Sequence, residues 1–284
     1  MNQVFSFNRC SLLIAKHWSE NRKKYLLGLL AITGILLVWF LFYILIEPYH
    51  PMDESVQFGT YYAGLFIVGC LYASTLFTDL SSKSKGTNYL SLPASQLEKT
   101  ICTLLYGVVI FFIFYTLVFY FADVIMVKVG NKIAHYYWQK NHLAGSVFEP
   151  QTVTNVFWFD RMGLNSVNFL FYLLLCYFAV QAAYLLGSVY FSKYSFIKTT
   201  VALLFLWLLF IIFVGKILDS FMPDGNFYED LVSFRLNGGG GPDANERIIR
   251  LPEWINTAVV FLFKYAFAPV FWVATYFRVK EKEI

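Results

Sequence analysis

Long apolar runs separated by polar segments dominate the sequence. Each run is close to the roughly 20 residues that an α-helix needs to cross a bilayer. They cover 25–46, 58–78, 101–127, 166–190, 199–218 and 254–277. This pattern predicts an all-α integral membrane protein with six transmembrane helices in a single domain.

The first 24 residues are polar but patterned. One helical face carries Phe7, Cys10, Ile14 and Trp18. The opposite face carries Arg9, Lys16, Glu20 and Lys23. Such a division predicts a separate amphipathic helix over 1–24 that lies in the headgroup plane before the first span.

The polar loop 79–99 between the second and third runs contains a helix-breaking proline followed by a helix-start signal. Pro93 interrupts any helix that arrives from Tyr89. Ser95 followed by Glu98 three residues later is a capping box, which predicts a new helix start. The loop is therefore expected to form a firm turn on the end of a membrane helix, although an ordinary inter-helix loop with good capping explains the same spacing.

Composition agrees with a membrane location. The chain is 58% hydrophobic and 14% charged, whereas about 25% of residues are charged in a typical soluble domain. Thirteen of the 22 Lys and Arg residues fall in segments predicted to lie inside, and seven fall in the outer segments 128–165 and 219–253. This bias predicts that both termini and 79–99 are cytosolic. The net charge of +4 is explained by this topology, and no nucleic-acid partner is expected.

Signs of chemistry are absent from the sequence. It contains no phosphate-binding loop, zinc-protease motif, nucleophile elbow or dinucleotide fingerprint. The four cysteines are far apart, and none lies in an outer segment. We therefore expect no catalytic residue, disulfide, metal site or cofactor in this chain.

Two ionisable residues lie within or near the predicted spans. Lys264 is about ten residues into the sixth span and precedes Pro269. It either faces the bundle interior or extends its ammonium group toward the outer surface. Asp123 is near the outer end of the third span and is predicted to be an interface residue. Asp123 and Lys264 can form an ion pair only if the third helix lies deeper in the membrane than predicted or the sixth lies closer to the outer surface.

The stretch GTNYLSLPASQLEK at 86–99 resembles the "LLPaS…EK" signature of many bacterial ABC permeases. The whole layout is similar to the short six-helix permeases of the type-2 ABC exporter family. The long outer segment after the third span departs from the shorter turn of many relatives. In that family the corresponding loop carries a coupling helix that docks on a soluble ATPase. The resemblance implies this role for Thr87, Tyr89, Leu90, Leu92, Pro93, Ser95, Glu98 and Lys99.

The resemblance also implies the assembly. Two ATPase subunits would bind ATP and Mg, and a second permease subunit, identical or different, would complete a path among membrane lipids. We therefore expect an exporter of a hydrophobic or amphipathic substrate in the bacterial cytoplasmic membrane. A scaffold or sensor without transport activity is the alternative, and a polytopic membrane enzyme ranks last.

Overall fold

A computed structural model describes residues 5–78, 86–87, 91–140, 148–157, 166–221, 225–227, 233–236, 247–250 and 253–282. Most of these residues are helical. The α-helices are α1 Phe7–Ile46, α2 Glu54–Thr75, α3 Gln96–Leu104, α4 Phe111–Lys140, α5 Ser166–Tyr190, α6 Ser195–Phe221, α7 Glu253–Tyr265 and α8 Phe267–Glu281. A π-helical segment, Leu105–Ile110, joins α3 to α4.

Five helical stretches within the described ranges are long and apolar enough to cross a membrane. They are Phe7–Ile46, Glu54–Thr75, Gln96–Lys140, Phe169–Tyr190 and Ser195–Phe213. This set is typical of a multi-pass membrane protein, as the sequence pattern predicts. It corresponds to the first five predicted spans.

The first helix differs from its prediction. The lead-in and the first span form one helix of 40 residues, so the predicted separate helix over 1–24 is not present as an element of its own. The segment contains no proline before Pro48, and the basic residues 22–24 are all compatible with a helix. The charges at this point change the polarity of the surface without ending the helix.

The third span is also longer than predicted. Helix α4 continues to Lys140, thirteen residues beyond the predicted end at 127, so the outer segment 128–165 begins as helix. Asn131 anchors the returning chain, because its side-chain amide donates to the Gln151 carbonyl at 2.7 Å and its oxygen accepts from the Gln151 N–H at 3.1 Å.

Within a fold that is otherwise helical as predicted, the second outer segment contains three short strands that the sequence analysis did not predict. The strands β1 Gly225–Phe227, β2 Ser233–Leu236 and β3 Arg247–Arg250 form an antiparallel sheet in the order β1-β2-β3. Ser233 pairs with Arg250 and Leu236 with Arg247. Polar and apolar residues alternate in β2, which is the period of a strand. The glycines at 238–241 lie outside the described residues.

The predicted sixth span is divided between α7 and α8. Pro269 lies in the first turn of α8 and has no N–H to donate to the carbonyl of Tyr265, four residues earlier. The hydrogen bonds around it persist, from the Ala266 N–H to Leu262 at 3.0 Å and from the Val270 N–H to Ala266 at 2.9 Å. A proline-interrupted helix is therefore the local structure here.

The buried core has two layers along the bundle. The first includes Phe40 of α1, Tyr61 of α2, Phe119 of α4 and Tyr177 of α5. The second is built from the later halves of α2 and α5 and from Val279 of α8. Helices α2 and α5 therefore run in the same direction. Helices α1 and α4 run opposite to α2, because Tyr72 near its end contacts Tyr25 and Phe111, whereas Thr60 and Tyr61 near its start contact Trp39 and Phe119.

Both ends of the described chain lie at the same end of the bundle, because each is held by a hydrogen bond there and α3 contacts α8. The Ser6 N–H donates to Glu98 at the start of α3, and the Lys282 ammonium donates to the carbonyl of Val189 at the end of α5. We refer to the end of the bundle that holds Ser6, Glu98, Val189 and Lys282 as the basic end.

Candidate functional site

The first turn of α3 forms the predicted capping box. The Glu98 N–H donates to the Ser95 hydroxyl oxygen at 3.2 Å, and the Ser95 N–H donates to Glu98 Oε2 at 2.8 Å. Both donors lack a partner within the helix, so the two side chains satisfy them reciprocally. The predicted helix start is confirmed.

The Glu98 carboxylate also reaches the first helix. Its Oε1 atom accepts from the Ser6 N–H at 2.6 Å and from the Arg9 guanidinium at 2.9 Å. Ser6 and Ser95 are the N-cap residues of α1 and α3. A single carboxylate thus lies at two helix N-termini, where the helix dipoles favour negative charge.

Glu98 precedes the predicted span at 101 and is completely buried. Burial alone would raise the pKa of its carboxyl group. Hydrogen bonds from Ser95 and Ser6, together with the hydrogen bond and charge of Arg9, outweigh this effect and lower the pKa below its ordinary value. The carboxylate is therefore charged at neutral pH and holds α1 to α3.

The loop before Ser95 presents a small exposed surface. Thr87, Ser91 and Pro93 are exposed. The Ser91 N–H donates to the Thr87 carbonyl at 2.9 Å, and the Ala94 N–H donates to the Leu92 carbonyl at 2.7 Å around Pro93. These bonds give the exposed segment a defined backbone.

The other predicted coupling residues have different positions. Glu98 and Lys99 are buried, and Leu92 is half-buried beside a small cavity of about 90 Å³ that Lys16 of α1 also lines. Their side chains pack within this chain. Tyr89 and Leu90 lie outside the described residues. Thr87, Ser91 and Pro93 are therefore the described residues of this segment with the most open side chains.

Asp123 is buried inside the bundle. Its side chain has no exposed surface, and neither carboxylate oxygen has a hydrogen-bond partner in the described structure. Neighbouring helices cover the side chain, and its predicted place near the membrane–water interface stays a prediction. A buried carboxyl group without a partner carries a large free-energy cost.

Lys264 does not pair with Asp123. Its ammonium nitrogen lies 4.7 Å from the centroid of the Tyr172 ring, and the residue is half-buried. A cation over an aromatic face is a stabilising contact. The two intramembrane candidates are thus not brought together.

The π-helical segment was not predicted. Within it, the Gly107 carbonyl accepts a hydrogen bond from the buried Gln181 amide of α5 at 2.8 Å. Single π-helical turns occur frequently at functional sites. The polar Gln181 within an otherwise apolar run is the signal in the sequence that could have indicated this contact.

Within the described ranges no group of three or more His, Cys, Asp or Glu side chains is placed to hold a metal. Comparisons with protein families, curated proteins and solved structures find no match to this chain. A function for this chain is therefore inferred from its own residues.

Proposed function

We propose that this chain is the membrane-spanning permease subunit of an ATP-driven ABC exporter. It moves a hydrophobic or amphipathic substrate outward and receives its energy from a separate soluble ATPase. The observation that carries the proposal is the Glu98 carboxylate, which accepts hydrogen bonds from the N-cap residues of both α1 and α3. It joins these two helices beside an exposed loop.

Energy transfer requires a stiff contact, because this chain has no nucleotide-binding motif of its own. A displacement at Ser91 or Pro93 reaches α3 within a few residues, and Glu98 passes it to α1 through the Ser6 and Arg9 hydrogen bonds. Packed helices move as rigid bodies in such transitions. The exposed loop is thus suited to contact the ATPase and to transmit its displacement to α3 and α1.

The proposed fold has six spans of the type-2 exporter kind, with α7 and α8 forming the sixth. The basic end lies in the bacterial cytosol, where basic residues favour the inner side. Two copies, or this chain and a related subunit, enclose the path, and two ATPase subunits bind ATP and Mg below them. The chain itself is not an enzyme.

The test is purification of the tagged chain from its native membranes in mild detergent. The parent is expected to bring down a soluble protein that contains a Walker A loop, with vanadate-sensitive ATP hydrolysis. The Ser91→Glu variant places a charge on the exposed loop and is expected to lose both. The matched control is Glu149→Lys, a charge change at an exposed position in the predicted outer segment.

The decisive comparison is between these two variants. If Ser91→Glu retains the ATPase as the control does, the loop is not the coupling contact. If the parent itself brings down no ATPase, the permease proposal fails and a scaffold or sensor without transport activity becomes the better description.

A further inference from the structure

A cavity of about 520 Å³ lies between α1, the end of α2 and the π-helical segment with the start of α4. This volume falls within the range of roughly 300–1,000 Å³ that is typical of small-molecule sites. None of the described residues in the predicted coupling segment lines it.

The lining changes from polar to apolar in the same direction in space on α1 and on α2. On α1 it passes from His17, Asn21 and Lys24 to Ile32, and on α2 from Thr75 to Val68. The polar residues are those nearer the basic end. A ligand aligned with the helices would therefore meet hydrogen-bonding and cationic groups at one end and hydrocarbon at the other.

Aromatic rings build the wall at the polar end. The rings of Tyr25 and Tyr106 are stacked with centroids 5.8 Å apart, and the His17 ring lies 4.5 Å from Tyr106. The His17 Nε2 atom is 2.6 Å from the Tyr25 hydroxyl. Tyr72 stacks on Phe111 at 5.0 Å. These contacts hold the rings in place and keep the space between α1 and α2 preformed.

We propose that this cavity binds a single-chain anionic amphiphile, with its acyl tail along α4 and its acidic head beside Lys24 and Asn21. A carboxylate and a phosphate monoester share this chemistry, so a fatty acid and a lysophospholipid are both candidate sources. The role of the amphiphile as cargo rests on the proposed function, whereas binding by the chain alone does not.

Gly28 supplies a precise test. It lines the cavity, and a Cβ added there meets no atom within 4 Å, which is also true of Gly34 on the same helix. Gly34 does not line the cavity. Gly28→Leu therefore fills the cavity from α1, and Gly34→Leu is the matched control.

The experiment uses the purified full-length chain, without an ATPase, and a fatty acid with a diazirine in its tail. The parent is expected to be photolabelled within α1, the end of α2 or α4, and unlabelled palmitate should compete. Gly28→Leu should lose this labelling and Gly34→Leu should keep it. Val68→Phe fills the cavity from α2 and replaces Gly28→Leu if that variant does not fold.

The head group is tested with Lys24→Gln, and Lys23→Gln is the control from the same basic run. Loss of a charge-assisted hydrogen bond should weaken binding of the acid by about ten-fold, while binding of the matching fatty alcohol should not change. Competition by palmitate or by lysophosphatidic acid identifies the better source of the head group.

Labelling of Gly28→Leu at the parent level, or labelling that palmitate does not reduce, would overturn the site. Equal binding of acid by Lys24→Gln and the parent would overturn the anionic head. Because no ATPase is present, a negative result here leaves the permease proposal standing, and failure of that proposal leaves this binding result intact.

Discussion

The Glu98 carboxylate accepts a hydrogen bond from the Arg9 guanidinium at 2.9 Å, although the two residues are 89 positions apart in the chain. Arg9 is about one-third exposed, whereas Glu98 is completely buried. The same carboxylate closes the α3 capping box. One side chain therefore makes polar contacts with both the first and the third helix.

Replacing Glu98 should be far more costly than replacing its capping partner. Glu98→Ala leaves the Ser6 and Ser95 N–H groups and the Arg9 guanidinium without this acceptor, so we expect a loss of about 3 kcal/mol in the free energy of unfolding. Ser95→Ala removes one cap and should cost about 1 kcal/mol. Denaturant unfolding in detergent micelles measures both.

The control for this comparison is Glu20→Ala. Glu20 makes an exposed ion pair with Lys16 at 3.8 Å, which contributes at most about 0.5 kcal/mol. Equal losses in the free energy of unfolding for Glu98→Ala and Glu20→Ala would show that the buried hydrogen-bond network contributes no more to stability than an exposed ion pair.

The link between α1 and α3 should persist across physiological pH. The pKa of Glu98 is lower in the folded protein than its ordinary value of 4.5, so its stabilising contribution is complete above that value and is lost as the pH falls through the lower, folded-state pKa. Spin labels at Ser11 and Ser91, in a background without the native cysteines, should keep one distance from pH 8 to pH 5 and separate only in stronger acid.

In Glu98→Gln the spin-label distance should no longer depend on this titration. A separation already at pH 6 in the parent would mean that the carboxyl group titrates above its ordinary value, contrary to the structure.

Gly69 should not tolerate a methyl group. A Cβ at this position would lie 2.6 Å from the Tyr177 hydroxyl oxygen and 2.8 Å from its ring, and Tyr177 is completely buried. Gly69→Ala should therefore destabilise the bundle by about 1–3 kcal/mol. Gly59 is on the same helix with open space around its Cβ position, so Gly59→Ala should be neutral or slightly stabilising. Thermal unfolding of the two variants provides the comparison, and similar midpoints would refute the close α2–α5 contact.

Removing the Asp123 carboxyl group should stabilise the fold. Both of its oxygens are buried without a hydrogen-bond partner in the described structure, so Asp123→Leu eliminates an unfavourable burial worth about 1–3 kcal/mol. Asp123→Asn keeps polar atoms at the same place and should gain less. Chemical unfolding at pH 7.5 ranks the three proteins. A destabilised Asp123→Leu would instead reveal a partner for the carboxyl group in the assembled protein.

Labelling of introduced cysteines in intact cells tests the sidedness. With the native cysteines replaced, single cysteines at Ser91 and Lys280 should be protected from an impermeant thiol reagent, because basic loops remain inside. A cysteine at Glu149 should react. All three positions are exposed in the structure, so their access depends on the membrane alone. Reaction at 91 in sealed cells would reverse the predicted topology.

Local patterns were readable from the sequence, and contacts between distant segments were not. The Ser95–Glu98 capping box has a fixed spacing and the expected hydrogen bonds. The Arg9–Glu98 bond depends on how α1 packs against α3, which no spacing in the sequence reports. Asp123 shows the same limit, because its burial is decided by helices far away in the chain.

The predicted end of a membrane span also differs from the end of the helix that contains it. The basic run at 22–24 predicts where hydrocarbon begins, yet α1 continues through it. The strands at 233–236 and 247–250 were missed because each is only four residues long, too short to be prominent beside long apolar runs.

The 40 residues of α1, at about 1.5 Å per residue, give a rod of roughly 60 Å, twice the roughly 30 Å depth of bilayer hydrocarbon. Under the proposed function such a rod acts as a lever, because a tilt within the membrane displaces both of its ends. Its first turn is attached to α3 through Glu98, and the cavity wall from His17 to Ile32 belongs to it. Under the proposed function, a push on the start of α3 changes the tilt of α1, and that tilt sets the separation of α1 from α2 where the Tyr25 ring meets the Tyr72 ring.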